Sequence, residues 1–256
     1  MPARPSSEWK IRVVIPALNE EAAIGQVIDQ LPTEWVDSIH VGDNGSTDRT
    51  AEVAQSLGAK VIHAPKRGYG SACLAALDDV LQTCGPTNKE IIVFIDGDAS
   101  DDPCQLPRLV MPLINDEADI VLANRAHSEI DPGSLTLQQR FGNALATTLI
   151  HWIHGVQYKD LGPFRACKLD IFQSLEMQDP DFGWTVEMQL KSARRRLRHL
   201  EIDLPYRKRI GRSKISGTVT GSIKAGLKIL SLIMRDLLTG SRNGRIQRAH
   251  LKNGHS

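Results

Sequence analysis

Cysteine is scarce in this chain of 256 residues: Cys73, Cys84, Cys104 and Cys167 have no close pairing and no metal-ligand spacing. A disulfide framework and a zinc site are thereby excluded, and reduced thiols of a cytosolic protein are the economical reading. Long apolar runs are missing too. No uninterrupted stretch reaches the ~18 residues of a membrane helix, and Met1 to Lys10 lacks the apolar centre of a signal peptide. The expectation is a cytoplasmic protein, soluble or peripheral at the inner face of the membrane. Aromatic residues are only 5% of the chain, and its basic part has few rings for base stacking and no helix-turn-helix, zinc-finger or RNA-module signature. Nucleic acid is therefore set aside as a partner.

Net charge is also small, +1, but this hides two opposed halves. Residues 191–256 hold 17 Lys/Arg and 3 Asp/Glu, whereas residues 1–190 hold 14 and 27. An acidic part that can hold a cation, followed by a basic part, suits phosphate partners and an anionic membrane surface.

What the chain does have is a rhythm of short apolar runs that end in polar clusters. Ile11–Ile15 reads as a buried strand stopped by Pro16, and Asn19–Leu31 as a helix capped by Asn19. Ser38–Gly42 leads into Asp43-Asn44-Gly45-Ser46-Thr47-Asp48 and a helix from Arg49 to Leu57. Ala59–His63 precedes Pro65-Lys66-Arg67-Gly68-Tyr69-Gly70 and a helix from Ser71 to Leu81, and Ile91–Ile95 is a fourth strand. Strands alternating with helices predict a mostly parallel sheet flanked by helices, with ligand loops at the strands' C-terminal ends. Ala118–Leu122 reads as a further strand, Leu135–Ile153 as a helix, and the segment from Asp160 to Glu187 as mixed. Ser222–Leu238 has amphipathic helical periodicity. The expected organisation is a catalytic domain over 8–216, an amphipathic helical extension over 217–241 and a mobile polar tail over 242–256.

The fourth strand ends in Asp96-Gly97-Asp98. Those residues favour turns, and they also present two hard oxygen donors to one cation, Mg²⁺ or Mn²⁺, whose other ligands come from phosphate and water. Both readings stand on these residues alone.

Taken in order, Val14-Ile15-Pro16-Ala17-Leu18-Asn19-Glu20, the Asp43–Asp48 cluster, Lys66–Ala72, Asp96-Gly97-Asp98, Asp160–Arg165 and Gly211-Arg212-Ser213-Lys214 resemble family 2 glycosyltransferases of GT-A fold. Within that family the chain most resembles the dolichyl- and polyprenyl-phosphate sugar transferases, though without their membrane helices. The resemblance spans roughly Ile11 to Ser216, by motif order. It implies an inverting, Mg²⁺- or Mn²⁺-dependent transfer of a hexose from a UDP- or GDP-linked sugar to a polyprenyl phosphate. By the same resemblance Pro16, Leu18, Glu20, Asp43, Lys66 and Asp96 line the nucleotide pocket, with Leu18 where relatives carry Tyr or Phe. Asp98 is the primary metal ligand with Asp96 beside it, and Arg125, Arg165, Arg207, Arg209 and Lys214 surround the acceptor phosphate. Asp96, Asp98, Arg125 and Glu187 form the catalytic set, Glu187 being either a base for a hydroxyl acceptor or a partner that orients an arginine. A phosphate acceptor is already ionised and needs no base. Competing readings are a soluble transferase using a small hydroxyl acceptor, a sugar-phosphate nucleotidyltransferase and a noncatalytic sugar-nucleotide sensor.

Overall fold

A computed structural model describes residues 4, 8–84, 89–127, 130–211 and 228–237. The chain begins with three strand–helix units: β1 (Lys10–Ala17), α1 (Ile24–Asp29), β2 (Ser38–Asp43), α2 (Thr50–Ser56), β3 (Lys60–His63) and α3 (Tyr69–Thr83). Then come β4 (Glu90–Phe94), a 3₁₀ turn (Pro103–Gln105), α4 (Leu106–Ile114), β5 (Ile120–Asn124) and α5 (Leu137–His154). The last part holds β6 (Arg165–Lys168), α6 (Leu169–Leu175), α7 (Trp184–Arg194) and β7 (His199–Asp203), and residues 228–237 are again helical.

The seven strands form one sheet in the order β3-β2-β1-β4-β6-β5-β7. β1 pairs in parallel with β2 and β4, β2 with β3, and β5 with β7, while β6 runs antiparallel between β4 and β5. The C-terminal ends of β1, β2, β4 and β5 consequently open on one edge of the sheet. That edge is where an α/β sheet binds ligands.

Side-chain alternation divides the core. Ile11, Val13 and Ile15 of β1 and Ile91 and Val93 of β4 pack with α1 and α4, whereas Val14, Ile92 and Phe94 face α3, α5, α6 and α7. Both faces are covered, which is why β4 reads as an uninterrupted apolar run rather than an alternating one. The ring centroids of Phe94 and Phe172 lie 5.3 Å apart, and those of Phe94 and Trp184 6.0 Å apart. Trp184 is therefore core, and each such ring stabilises the fold by roughly 1.5–3 kcal/mol relative to exposure.

Three boundaries differ from expectation. β1 runs through Pro16, which pairs only with Gly42 of β2 because β4 has already ended against Val14, so no bond to β4 needs its missing N–H. Asn19 does not cap a helix: it sits at φ 53° with its Oδ1 accepting from Thr47 N at 2.7 Å, and α1 starts only at Ile24. The third difference lies at the far side of the sheet, where β6 and β7, four and five residues long, are both absent from the strand pattern of the sequence.

The described part of the C-terminal extension docks on this domain. Ile233 is buried, Lys228 pairs with Asp179 at 2.9 Å, and Asp236 meets both His154 (2.7 Å) and Arg194 (3.2 Å). Among the described residues, no helix is long and apolar enough to cross a membrane. The tail 242–256 lies outside the described residues, as do Lys214 and the extension's other residues.

Candidate active site

β4 stops at Phe94, and Ile95 N makes a last bond to Val14 O before the chain turns at Asp96-Gly97-Asp98. Gly97 packs closely against α1, where an added Cβ would meet Ile24 Cδ1 at 3.2 Å. Asp98 Oδ1 accepts from Ser100 N (3.0 Å) and Ser100 Oγ (2.5 Å), which fixes the carboxylate and leaves Oδ2 directed elsewhere, to Arg209 Nη2 at 2.9 Å. Asp96 Oδ1 accepts from the Tyr69 hydroxyl at 2.9 Å. Burial, reinforced by the Asp98 charge, pushes the Asp96 carboxyl up to about 7. Burial and the adjacent Asp96 likewise push the Tyr69 phenol well up. Asp96 is therefore the carboxylate short of positive charge, while Asp98 has Arg209 against it.

Two cavities meet at this pair. The smaller, about 360 Å³, lies over the ends of β1 and β4, and Pro16, Leu18, Glu20 and Asp96 of the expected nucleotide set line it. Asp43 and Lys66 do not. Asp43 is buried with Oδ1 accepting from Ser46 N (3.1 Å) and Oδ2 beside His63 Nδ1 (3.0 Å), so it shapes the turn after β2. Lys66 is exposed and contributes its carbonyl, which accepts from Asn44 Nδ2 at 3.0 Å. In their place Asn44, Arg67, Tyr69 and Phe182 form the wall.

The glycines at the start of α3, Gly68 and Gly70, lie against protein backbone. A Cβ on Gly68 would lie 2.1 Å from Pro180 O, and one on Gly70 1.9 Å from Asp179 O. Backbone, not ligand, makes the close approach there. Ser71 N donates to Pro180 O at 2.8 Å, and this contact brings Phe182 to the junction of the cavities.

The larger cavity, about 730 Å³, shares Asp96, Asp98, Tyr69, Phe182 and Arg209 with the first. Its further cations are Arg125, Arg140 and Lys159, and His127 also lines it. Arg125 is held by Asp160 through Nε (2.7 Å) and Nη2 (3.0 Å) and lies 5.0 Å from the centre of the Tyr206 ring. Burial alone would raise the Asp160 carboxyl, but the Arg125 charge and its hydrogen bonds outweigh that and hold it below its ordinary value.

Several expected site residues stand away from both cavities. Arg165 is buried and spends its guanidinium on the carbonyls of Leu161, Gly162 and Thr185, a clamp on the segment before β6 rather than a phosphate ligand. Burial brings the Arg165 group down to about 10. Arg207 is half-exposed and faces Asp102 at 3.5 Å. Glu187 accepts from Gln178 N (3.1 Å) and Asp179 N (2.7 Å) and pairs with Lys191 (2.8 Å), so its carboxylate orders the 178–183 loop and is spent as a base. Of the residues expected around the acceptor phosphate, Arg125 and Arg209 line the larger cavity. Arg140 and Lys159 carried no signal, because a cation in the first turn of a helix or in a loop looks like any solvated one.

Among the described residues there is no group of three or more His, Cys, Asp or Glu that could hold a metal. The donors at the junction fit a divalent cation of another kind: two hard carboxylates, one with its pKa raised, both opening on space that phosphate and water oxygens would fill.

A family profile described as "Glycosyl transferase family 2" matches residues 12–177. A dolichyl-phosphate hexose transferase of Haloferax volcanii is 30% identical over 234 residues, covering 89% of this chain and 96% of that protein. A glycosyltransferase of Mycobacterium tuberculosis is 33% identical over 224 residues, 87% of this chain and 97% of the relative. Among solved structures, glucosyl-3-phosphoglycerate synthase from Mycobacterium tuberculosis in complex with phosphoglyceric acid superposes with a TM-score of 0.68 at 24% identity, covering 90% of this chain and 80% of that one. The same enzyme in complex with Mn²⁺, UDP and glucosyl-3-phosphoglycerate gives 0.67 at 24% identity and the same coverage. This likeness identifies the seven-stranded sheet as a GT-A fold, in which Mn²⁺ with UDP is found in the neighbour. With the profile spanning well over half of its length and a relative of that identity matched almost end to end, the chain belongs to glycosyltransferase family 2.

Proposed function

We propose that this protein transfers a hexose, with inversion, from a nucleotide diphosphate sugar in the smaller cavity to a polyprenyl phosphate in the larger one. The observation that carries the reading is the meeting of two cavities at Asp96 and Asp98. A Mg²⁺ or Mn²⁺ ion held by these carboxylates would neutralise the charge that develops on the departing diphosphate. Arg67 is placed to reach diphosphate oxygens from the donor wall, and Arg125, Arg140 and Lys159 to orient an anionic acceptor. An acceptor phosphate oxygen forms the new bond to the anomeric carbon as the bond to the diphosphate breaks on the opposite face. That step asks for no protein base. The other carboxylate in the acceptor wall, Asp160, has both oxygens engaged by Arg125, which agrees with an acceptor that arrives already ionised.

The outer face of α5 favours a lipid. Leu137, Phe141 and Trp152 are 84%, 71% and 76% exposed. At about 100° per residue they fall on one stripe of the helix, and the same helix gives Gln138, Arg140 and Asn143 to the acceptor cavity. A small phosphorylated acceptor is the second reading, favoured by the polar wall of that cavity. Nucleoside diphosphate release with a panel of donors and Mn²⁺ or Mg²⁺ distinguishes them. Stimulation by polyprenyl phosphate supports the first; stimulation only by small phosphorylated acceptors sinks it. Asp98→Asn should remove turnover, with circular dichroism showing that the variant still folds; turnover that survives removes Asp98 from the reaction.

A further inference from the structure

After β7 the chain returns past the carboxylate pair. Arg207 N donates to Ser100 O (2.8 Å) and Ile210 N to Asp98 O (2.9 Å), so residues 207–210 lie against 98–100 by backbone contact. This register delivers Arg209 to the junction of the two cavities, both of which it lines. Its Nη2 stands 2.9 Å from Asp98 Oδ2 and 3.4 Å from Glu20 Oε1. Since Ser100 already occupies Asp98 Oδ1, the oxygen that Arg209 covers is the one best placed to ligate a cation. Another Arg209 nitrogen, Nε, is buried with no hydrogen-bond partner among the described residues. Burying that group without a partner is costly, and the contact is therefore one that a better arrangement can replace.

We propose that Arg209 is an internal counter-ion that competes with the divalent cation for Asp98 and yields when a nucleotide diphosphate offers it a second anion. A guanidinium fork suits diphosphate oxygens, so the same side chain that blocks the metal in the free protein would clamp the leaving group in the loaded one. Cation binding thereby becomes conditional on donor binding. This inference rests on the donor-site reading above and adds an order to it.

The test is Mn²⁺ binding, followed by the paramagnetic resonance of free Mn²⁺, with and without UDP, on the full chain and its Arg209→Gln, Arg209→Lys and Asp98→Asn variants. An opposite charge within 4–6 Å alters a carboxylate's affinity for a proton by about ten- to a thousandfold, and a site partly open to water takes the low end. Arg209→Gln should bind Mn²⁺ alone about tenfold more tightly than the unmodified protein, and UDP should then tighten Mn²⁺ binding by a smaller factor than it does in the unmodified protein. Unchanged Mn²⁺ affinity in Arg209→Gln, with Asp98→Asn losing it, overturns the counter-ion and leaves the metal site standing. Mn²⁺ binding that is absent throughout, or indifferent to Asp98→Asn even with UDP, overturns the donor-site reading and the counter-ion with it. If the glutamine variant does not fold, the Arg209 Nε–H resonance of the unmodified protein, assigned by comparison with Arg209→Lys, carries the test. It should move when Mg²⁺ and UDP are added together, and a resonance that stays in place overturns the proposal.

Discussion

Replacing Asp160 by Asn should destabilise the protein far more than a typical ion-pair substitution, and the effect should fade in acid. Asp160 is 1% exposed and takes four bonds: from Arg125 N (2.8 Å), Nε (2.7 Å) and Nη2 (3.0 Å), and from Leu161 N (2.8 Å). Removing one partner of a buried pair costs about 3–5 kcal/mol, because the other charge is left without compensation. The Arg125 side chain keeps 14% exposure, so the low end, about 3 kcal/mol, is the expectation. For a chain of this size that corresponds to a fall in Tm of roughly 6–12 °C. The Asp160 carboxyl is held below its ordinary value in the folded state, so its contribution is fully present above the unfolded pKa and is lost as pH falls through the folded one. Urea unfolding of the native protein and Asp160→Asn, from pH 7 down to pH 3, reads both quantities. A difference below about 1 kcal/mol at pH 7, or one that does not shrink below an unfolded pKa of about 3.9, would refute the argument.

Gly70→Ala should push Asp179 and Pro180 off the start of α3, since the new Cβ would lie 1.9 Å from a carbonyl oxygen; it should impair donor binding in calorimetry, and an unchanged affinity would count against the coupling of the 178–183 loop to the cleft. Arg140→Ala should weaken the acceptor's KM about tenfold or more, as expected for a lost charge-assisted bond of 1.5–3 kcal/mol, while Arg207→Ala, half-exposed and outside both cavities, should change neither KM nor stability measurably. Phe141→Asp combined with Trp152→Asp should abolish co-sedimentation with anionic liposomes and spare nucleotide binding, because both rings are already exposed in the folded chain; retained co-sedimentation would remove the α5 stripe from the lipid reading.

The parallel half of the sheet was legible because each of its strands is a short run of Ile and Val that stops at a polar cluster, and a strand buried on both faces leaves that imprint. Residues at the ends of those runs, Pro16 to Glu20 and Asp96 to Asp98, could be put at the ligand edge from position alone. What lies across the cavity from them could not. Phe182 and Arg140 arrive there through the 178–183 loop and α5, and Arg209, which only the family resemblance indicated, through the segment after β7; their placement depends on long-range contacts that leave no periodicity in the sequence.

The arginines and glycines show the physical limit of such reading. Arg125, Arg165, Arg207 and Arg209 look alike as residues near motifs, yet one is held by a carboxylate in a cavity, one grips three carbonyls in the core, one lies at the surface and one sits on Asp98 Oδ2 where the two cavities meet. Their chemistry is decided by the partner and by burial, which residue type does not encode. Gly68 and Gly70 pose the same problem in reverse: the absence of a side chain announces that something comes close, and it is the Pro180 and Asp179 carbonyls that do. That substitution of backbone for ligand has a consequence for function. Because the glycines seat the 178–183 loop, and because the described end of the C-terminal helix holds the same loop through Lys228 and Asp179, the wall between the two cavities is tied at once to the acidic and the basic halves of the chain.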